Sequence, residues 1–288
     1  MIEVLDRVPT YPGRVKLIPV AGQPNVYDMV RADEPIEVGT PINKALFMSI
    51  RNDLTALQNS VSNIINDHAY KTTIGNILIG TEFVLSEGGI QVPFIKLTSE
   101  YGGTPRSLVI RKDIYKKDVL SASGQGQGNN YENCKTDLWL NDEANGYLSF
   151  LQSHVLEQIL AVPVETAAGT YPKALKTIQR KAFLLSRREL GFPQDNVNLY
   201  EGLPVAYFTG DTRRTAQYNG VLSDYWTRTP ISGSLDYSNC VNTGGHYTDQ
   251  VAVTYVSGIR PAFTLPSDFE VDLSVPDTGN TMATAGVI

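Results

Sequence analysis

Two cysteines in 288 residues, Cys134 and Cys240, are too few and too far apart for a disulfide framework, and neither stands in a zinc-type spacing. Both are expected as reduced thiols. Histidine is nearly as scarce: His68, His154 and His246 fall in separate segments, and no HExxH, two-histidine-one-carboxylate or calcium-loop spacing occurs. The expectation is no metal and no cofactor. Nucleophile elbows and dinucleotide fingerprints are missing too, and "GQGQGNN" at 124–130 lacks the strand before it and the helix after it that a phosphate loop needs. No catalytic residue is singled out, although two carboxylates converging from distant segments leave no mark in a sequence. Positive charge is also short: 24 Lys and Arg against 30 Asp and Glu give a net charge of −6, which argues against a nucleic-acid partner. No apolar run approaches the ~20 residues that cross a bilayer, and the start lacks the basic-then-apolar order of a signal peptide. Neither membrane insertion nor a cleaved leader is expected.

What the chain has in quantity is proline at its start and tyrosine throughout. Pro9, Pro12, Pro19, Pro24 and Pro35 break helices and confine strands to edges, so residues 1–39 read as an extended arm that must pack on something else. Thr40 and Pro41 then supply an N-cap and a first-turn proline. From there Phe47, Ile50, Leu54, Leu57, Val61 and Ile64 alternate by three and four residues, a heptad seam among otherwise polar faces. The seam fits an amphipathic helix lying on its own domain, but its narrowness favours a self-associating coiled coil over residues 40–69.

Beyond residue 70 the pattern is one of strands and loops. "EFVLSEGGIQVPFIKLT" reads as a hairpin turning at Glu87-Gly88-Gly89, "RSLVIRKDIY" as a strand, and "EANGYLSFLQSHVLEQILAV" as the best helix of this half. "KAFLLS" reads as a short buried strand and "SRRELG" as a helical turn. The last residues, 271–288, are small and polar, a tail with little to bury.

In "DYWTRTP", alternation puts Trp226 and Arg228 on one face, so a buried Trp226 draws Arg228 inward, where its charge must be paired. Glu189 and Asp224 are the candidate partners. Arg260 of "GIRPAF" raises the same demand, and Pro261 marks an edge or bulge. Trp226, Arg228, Arg260 and Glu189 are therefore read as structural, holding the two ends of an irregular segment, 231–257. In that segment Asp236, Tyr237, Asn239, Asn242, His246, Tyr247 and Tyr255 are the ligand-facing candidates, suited to a sugar or a protein surface alike.

The ordered series "TDLWLND", "LSFLQSHVLEQI", "KAFLLSRRELG", "DYWTRTP" and "GIRPAFTLP" resembles an uncharacterised domain family of tail and tail-fibre proteins from phages and prophages of Gram-positive bacteria. The last two motifs also look like the formylglycine-generating-enzyme branch of the C-type-lectin-like fold. The paired cysteines of those enzymes are missing, so their chemistry is not implied. "RVKLIPVAGQPNVYDMVRADEPIEVGTPINKAL" is similar to the start of many phage tail proteins. The resemblance implies an α+β chain: arm 1–39, coiled-coil helix 40–69, C-type-lectin-like domain 70–270 and tail 271–288. It further implies a virion protein, homotrimeric, docked on other tail or baseplate proteins through residues 1–39 and recognising a host-surface glycan or protein. A purely architectural baseplate or decoration protein is the alternative, and a cell-wall glycan hydrolase the third reading.

Overall fold

A computed structural model describes residues 8–9, 15–31, 35–37, 44–121, 129–167, 174–193, 200–231 and 233–273. Of the tail expected at 271–288, Val271 and Asp272 belong instead to a strand paired with Lys71 and Thr72, and Val271 is buried; residues from 274 onward and the helix start at Thr40–Pro41 lie outside the described residues, as does the side chain of Ile64. The chain divides into two compact units, Met1–Asp67 and His68–Ile288.

The first unit holds two short antiparallel ribbons. Strand β1 (Val8–Pro9) pairs with β4 (Pro35–Glu37), and β2 (Val15–Pro19) with β3 (Tyr27–Arg31). Leu17, Ile18, Met29 and Val30 all stay exposed, because a ribbon of only two strands buries little on its own. Helix α1 (Lys44–Ala69) follows. Its seam residues Phe47, Ile50, Leu54, Leu57 and Val61 are between 45% and 63% exposed.

The second unit runs in order through β5 (Lys71–Thr73), β6 (Glu82–Glu87), β7 (Ile90–Thr98), β8 (Arg106–Arg111), β9 (Lys116–Val119), α2 (Lys135–Asn141), α3 (Ser153–Leu156), β10 (Val162–Ala167), β11 (Leu175–Arg180) and β12 (Ala182–Phe183). It continues through α4 (Asp211–Arg214), β13 (Gln217–Tyr218), β14 (Val221–Leu222), β15 (Tyr225–Pro230), β16 (Tyr237–Val241), β17 (Tyr247–Ala252), β18 (Val256–Ile259), β19 (Ala262–Pro266) and β20 (Glu270–Asp272). Seven strands form an antiparallel sheet in the order β12-β19-β8-β7-β6-β20-β5, and five form a second sheet, β17-β16-β15-β18-β9. Both sheets contribute to one contiguous apolar core.

The α+β class, with a coiled-coil helix leading into a C-type-lectin-like domain, is corrected by the structure. The chain is sheet-rich, 40% strand against 18% helix. A coiled coil needs at least two helices, whereas α1 is single and the remaining α-helices among the described residues span only four to seven residues. The helix expected in "EANGYLSFLQSHVLEQILAV" is also replaced, by a 3-10 turn at Tyr147–Phe150 and the four-residue α3. Leu151 and Gln152 are extended, because Leu151 bridges to Glu87 and the Phe150 carbonyl accepts the N–H of Gly88. Tertiary pairing here outweighs helical spacing.

The β6–β7 hairpin turns where the sequence places it. Gly88 and Gly89 sit at φ of 61° and 81°, the left-handed pair that a two-residue turn between twisted strands demands.

Two strand-to-strand passages join the sheets: β8 to β9, and β18 to β19 across Arg260–Pro261. At this corner the N–H of Arg111 donates to the Pro261 carbonyl at 2.9 Å, and Arg260 Nε donates back to the Arg111 carbonyl at 2.9 Å. The Arg-Pro pair is thus a corner tie between sheets, not an edge or a bulge.

Candidate ligand-binding surface

Strand β15 lies in the middle of the five-stranded sheet and is buried on both faces: Tyr225, Trp226, Thr227 and Arg228 are each at most 2% exposed. Alternation therefore does not separate a wet face from a dry one here. Trp226 donates its indole N–H to the Asp118 carbonyl at 3.0 Å. Arg228 spreads its guanidinium over four acceptors: the carbonyls of Glu165 and Leu184, both at 2.8 Å, and the two oxygens of Glu189 at 2.6 and 2.7 Å. Burial alone works against its charge, but Glu189, then Tyr101 and Glu201, outweigh it and raise the guanidinium pKa. The arginine stays charged inside the core.

Glu189 is held for this task by its own turn. In "SRRE", Ser186 N–H donates to Glu189 Oε2 at 2.9 Å and Glu189 N–H donates to Ser186 Oγ at 3.0 Å, a reciprocal capping box. Tyr101 adds its hydroxyl to Glu189 Oε1 at 2.7 Å. Burial first, and then Glu189, push the Tyr101 phenol well above its ordinary range, so it serves as a neutral donor. Glu201 sits one layer on, accepting the Ala167 N–H at 2.8 Å and the Thr229 hydroxyl. Asp224, the other carboxylate considered for Arg228, instead accepts the Thr243 N–H at 3.0 Å. Arg260 takes no carboxylate among the described residues; besides Arg111 it meets the Tyr225 hydroxyl at 3.3 Å.

The second buried pair, Arg111 Nε to Glu87 Oε2 at 2.9 Å, escaped sequence reasoning, as did Tyr101, Glu165 and Glu201. Each comes from a segment whose local pattern says only strand or loop. The one readable signal is the S-x-x-E spacing at 186–189.

Residues 231–257 are not irregular: β16 and β17 form an antiparallel ribbon on the sheet's edge. The turn between them is built by Asn242, whose side-chain oxygen accepts the N–H groups of Gly244 and His246 at 2.9 and 3.1 Å. Gly245 seats this turn on α4; at its φ of 78°, a Cβ would lie 2.0 Å from the Asp211 carbonyl oxygen.

The ligand-facing candidates divide accordingly. Asp236, Tyr237, His246, Tyr247 and Tyr255 are exposed. Asn239 is a correction: it is fully buried, its amide donating to the Thr229 carbonyl at 3.1 Å, so it ties β16 to β15 and faces no ligand. Asn242 is half-buried and its oxygen is taken by the turn. Tyr247 is braced, with the Arg187 guanidinium 3.7 Å from its ring centroid and Phe192 edge-on at 5.4 Å. His246 Nδ1 lies 3.6 Å from an Asp211 oxygen.

Among the described residues no three metal-ligating side chains come together, and no helix is long and apolar enough to cross a membrane. Both cysteines are buried and free. Burial pushes the Cys134 thiol up to about 12 and raises that of Cys240 as well, which leaves neither as a thiolate nucleophile.

Residues 106–267, more than half of the chain, match the family described as Domain of unknown function (DUF6273). The chain belongs to the DUF6273 family. The match covers β8 through β19 and so takes in the Arg228–Glu189 pair and the β16–β17 ribbon, but leaves out α1 and both ribbons of the first unit. No curated protein and no solved structure matches the chain.

Proposed function

We propose that this DUF6273 protein is a tail-tip or tail-fibre component of a phage virion, assembled in the bacterial cytoplasm, that binds the host surface and catalyses no reaction. The phage-tail resemblance of its five ordered motifs supports the virion, and the β16–β17 ribbon supports the contact. The observation that carries the reading is the contrast across one sheet. The central strand is locked by buried charge-assisted bonds, while the outer ribbon offers Tyr237 and Tyr247, with Asp236 and His246, and the turn that follows it offers Tyr255, to solvent. Rigid aromatic faces with polar neighbours suit recognition of sugars or protein surfaces.

The exposed apolar residues of β2 and β3 fit an assembled state. In this reading the protein is a homotrimer, with residues 1–39 docked on other tail or baseplate proteins. Three copies of the ribbon would then multiply a modest single-site affinity.

The test is binding of labelled full-length protein to intact Gram-positive cells and to their purified walls. Saturable binding that blocks phage adsorption supports the reading. Labelling of virions by specific antibody without any cell binding leaves an architectural protein. Release of soluble sugar from walls would make it a hydrolase.

A further inference from the structure

On the side of Glu189 that Arg228 does not occupy, the second unit opens a cleft of about 600 Å³, within the size range of small-molecule sites. Ile79, Leu97, Pro163, Leu203 and Val205 give it an apolar wall. Its polar lining is one-signed: Glu100, Glu165 and Glu189 take part, and no Lys, Arg or His does.

Glycines keep the space open. Gly102 and Gly103, at φ of 59° and 73°, make the tight turn that carries Tyr101 over the stacked ring of Phe183. A Cβ on Gly102 would meet the Pro163 carbonyl oxygen at 2.8 Å, and one on Gly202 would meet Glu189 Oε1 at 2.6 Å.

The three carboxylates are not equivalent. Glu189 is spent on Arg228, Tyr101 and Ser186. Glu165 gives only Oε2 to the Gly202 N–H at 2.9 Å, and the exposed Glu100 carboxylate has no partner among the described residues. Two carboxylates with acceptor capacity to spare thus border an apolar wall, and Leu203, 78% exposed, stands among the lining residues.

We infer that the cleft is a binding site for an alkylammonium group, its cation met by Glu100 and Glu165 and its apolar stem laid on the exposed side chains of Ile79 and Leu203. Both halves are needed. The carboxylates attract a cation, and the wall excludes a fully hydrated one. A lysine side chain and a free diamine share this chemistry. The inference stands apart from host recognition, since Tyr237, Tyr247 and Tyr255 do not line the cleft.

Calorimetric titration of the full chain with 1,5-diaminopentane and with Nα-acetyl-lysine methylamide tests it, the Nε-acetylated compound serving as the neutral control. Saturable, salt-weakened binding of either amine and none of the control is expected; which amine binds more tightly identifies the source. Glu100→Gln should weaken binding about fivefold, the worth of one exposed charge contact. Leu203→Lys, at an exposed position, should abolish it with the thermal midpoint unchanged. Equal binding of amine and acetylated control, no saturable binding of either amine, or indifference to both substitutions overturns the inference. Variants of Tyr237, Tyr247 and Tyr255 that lose cell binding but keep the amine would separate the two proposals.

Discussion

Replacing Glu189 by Gln keeps the shape of the side chain and removes its charge, which isolates what the buried pair contributes. The carboxylate accepts four donors: Ser186 N–H and Arg228 Nη1 on Oε2, Tyr101 hydroxyl and Arg228 Nη2 on Oε1. An amide has one oxygen and one NH₂, so whichever way it turns, its NH₂ meets two donors and one Arg228 nitrogen loses its acceptor. The guanidinium is then left charged in a fully buried site, and breaking a pair of this kind costs about 3–5 kcal/mol. With a urea slope of about 2–3 kcal/mol per M for a unit of this size, the midpoint should fall by about 1–2 M. Fluorescence of the buried Trp226 and far-UV circular dichroism should report the same transition. The double replacement Arg228→Met/Glu189→Leu should cost less than the single, because it leaves no stranded charge. A midpoint shift in Glu189→Gln below about 0.3 M, or a double variant worse than the single, refutes the bracing role.

Other consequences follow from the same neighbourhood. Gly202→Ala puts a methyl 2.6 Å from Glu189 Oε1 at a φ of 82° and should cost about 2 kcal/mol or more in the same unfolding measurement. Burial holds the Glu201 carboxyl above its ordinary 4.5 against the pull of Arg228, so the folded protein keeps that proton more tightly than the unfolded chain. Its contribution is complete below pH 4.5 and is lost as pH rises through the folded value. Glu201→Gln should therefore gain stability relative to wild type as pH rises above 4.5, read from thermal midpoints of the two proteins along a pH series. Cys134 and Cys240 should resist a thiol reagent at about pH 8 in the native protein and react once urea unfolds it; rapid native labelling would contradict their burial.

Local chemistry made part of the fold legible. The paired glycines of the β6–β7 turn and the alternating residues around them have one reading, because left-handed glycines and a period of two both point to a hairpin. The need of Arg228 for Glu189 was legible for a different reason: an arginine beside Trp226 in a strand must find a carboxylate, and few lay near. The coiled coil failed because a seam states that a helix has an apolar stripe, not what covers it. Residues 147–159 failed because buried Tyr147, Leu148, Leu151, Val155 and Ile159 keep helical spacing, while the backbone between them is claimed by Glu87 and Gly88. Asn239 was not legible because a polar residue in a polar stretch looks exposed, whereas β16, beside β15, is buried on both faces from Ser238 to Val241 whatever the residue type. Tyr101, Glu165 and Glu201 reach the Arg228 pair across separations that no local pattern records.

The central claim is that a locked strand holds an exposed tyrosine ribbon toward the bacterium. It is tested most directly by comparing full-length wild type with Tyr237→Ala/Tyr247→Ala/Tyr255→Ala for binding to intact Gram-positive cells that the wild type binds. The account predicts that the triple variant, with its unfolding midpoint close to that of wild type, loses cell binding. A triple variant that binds cells as tightly as wild type would contradict it.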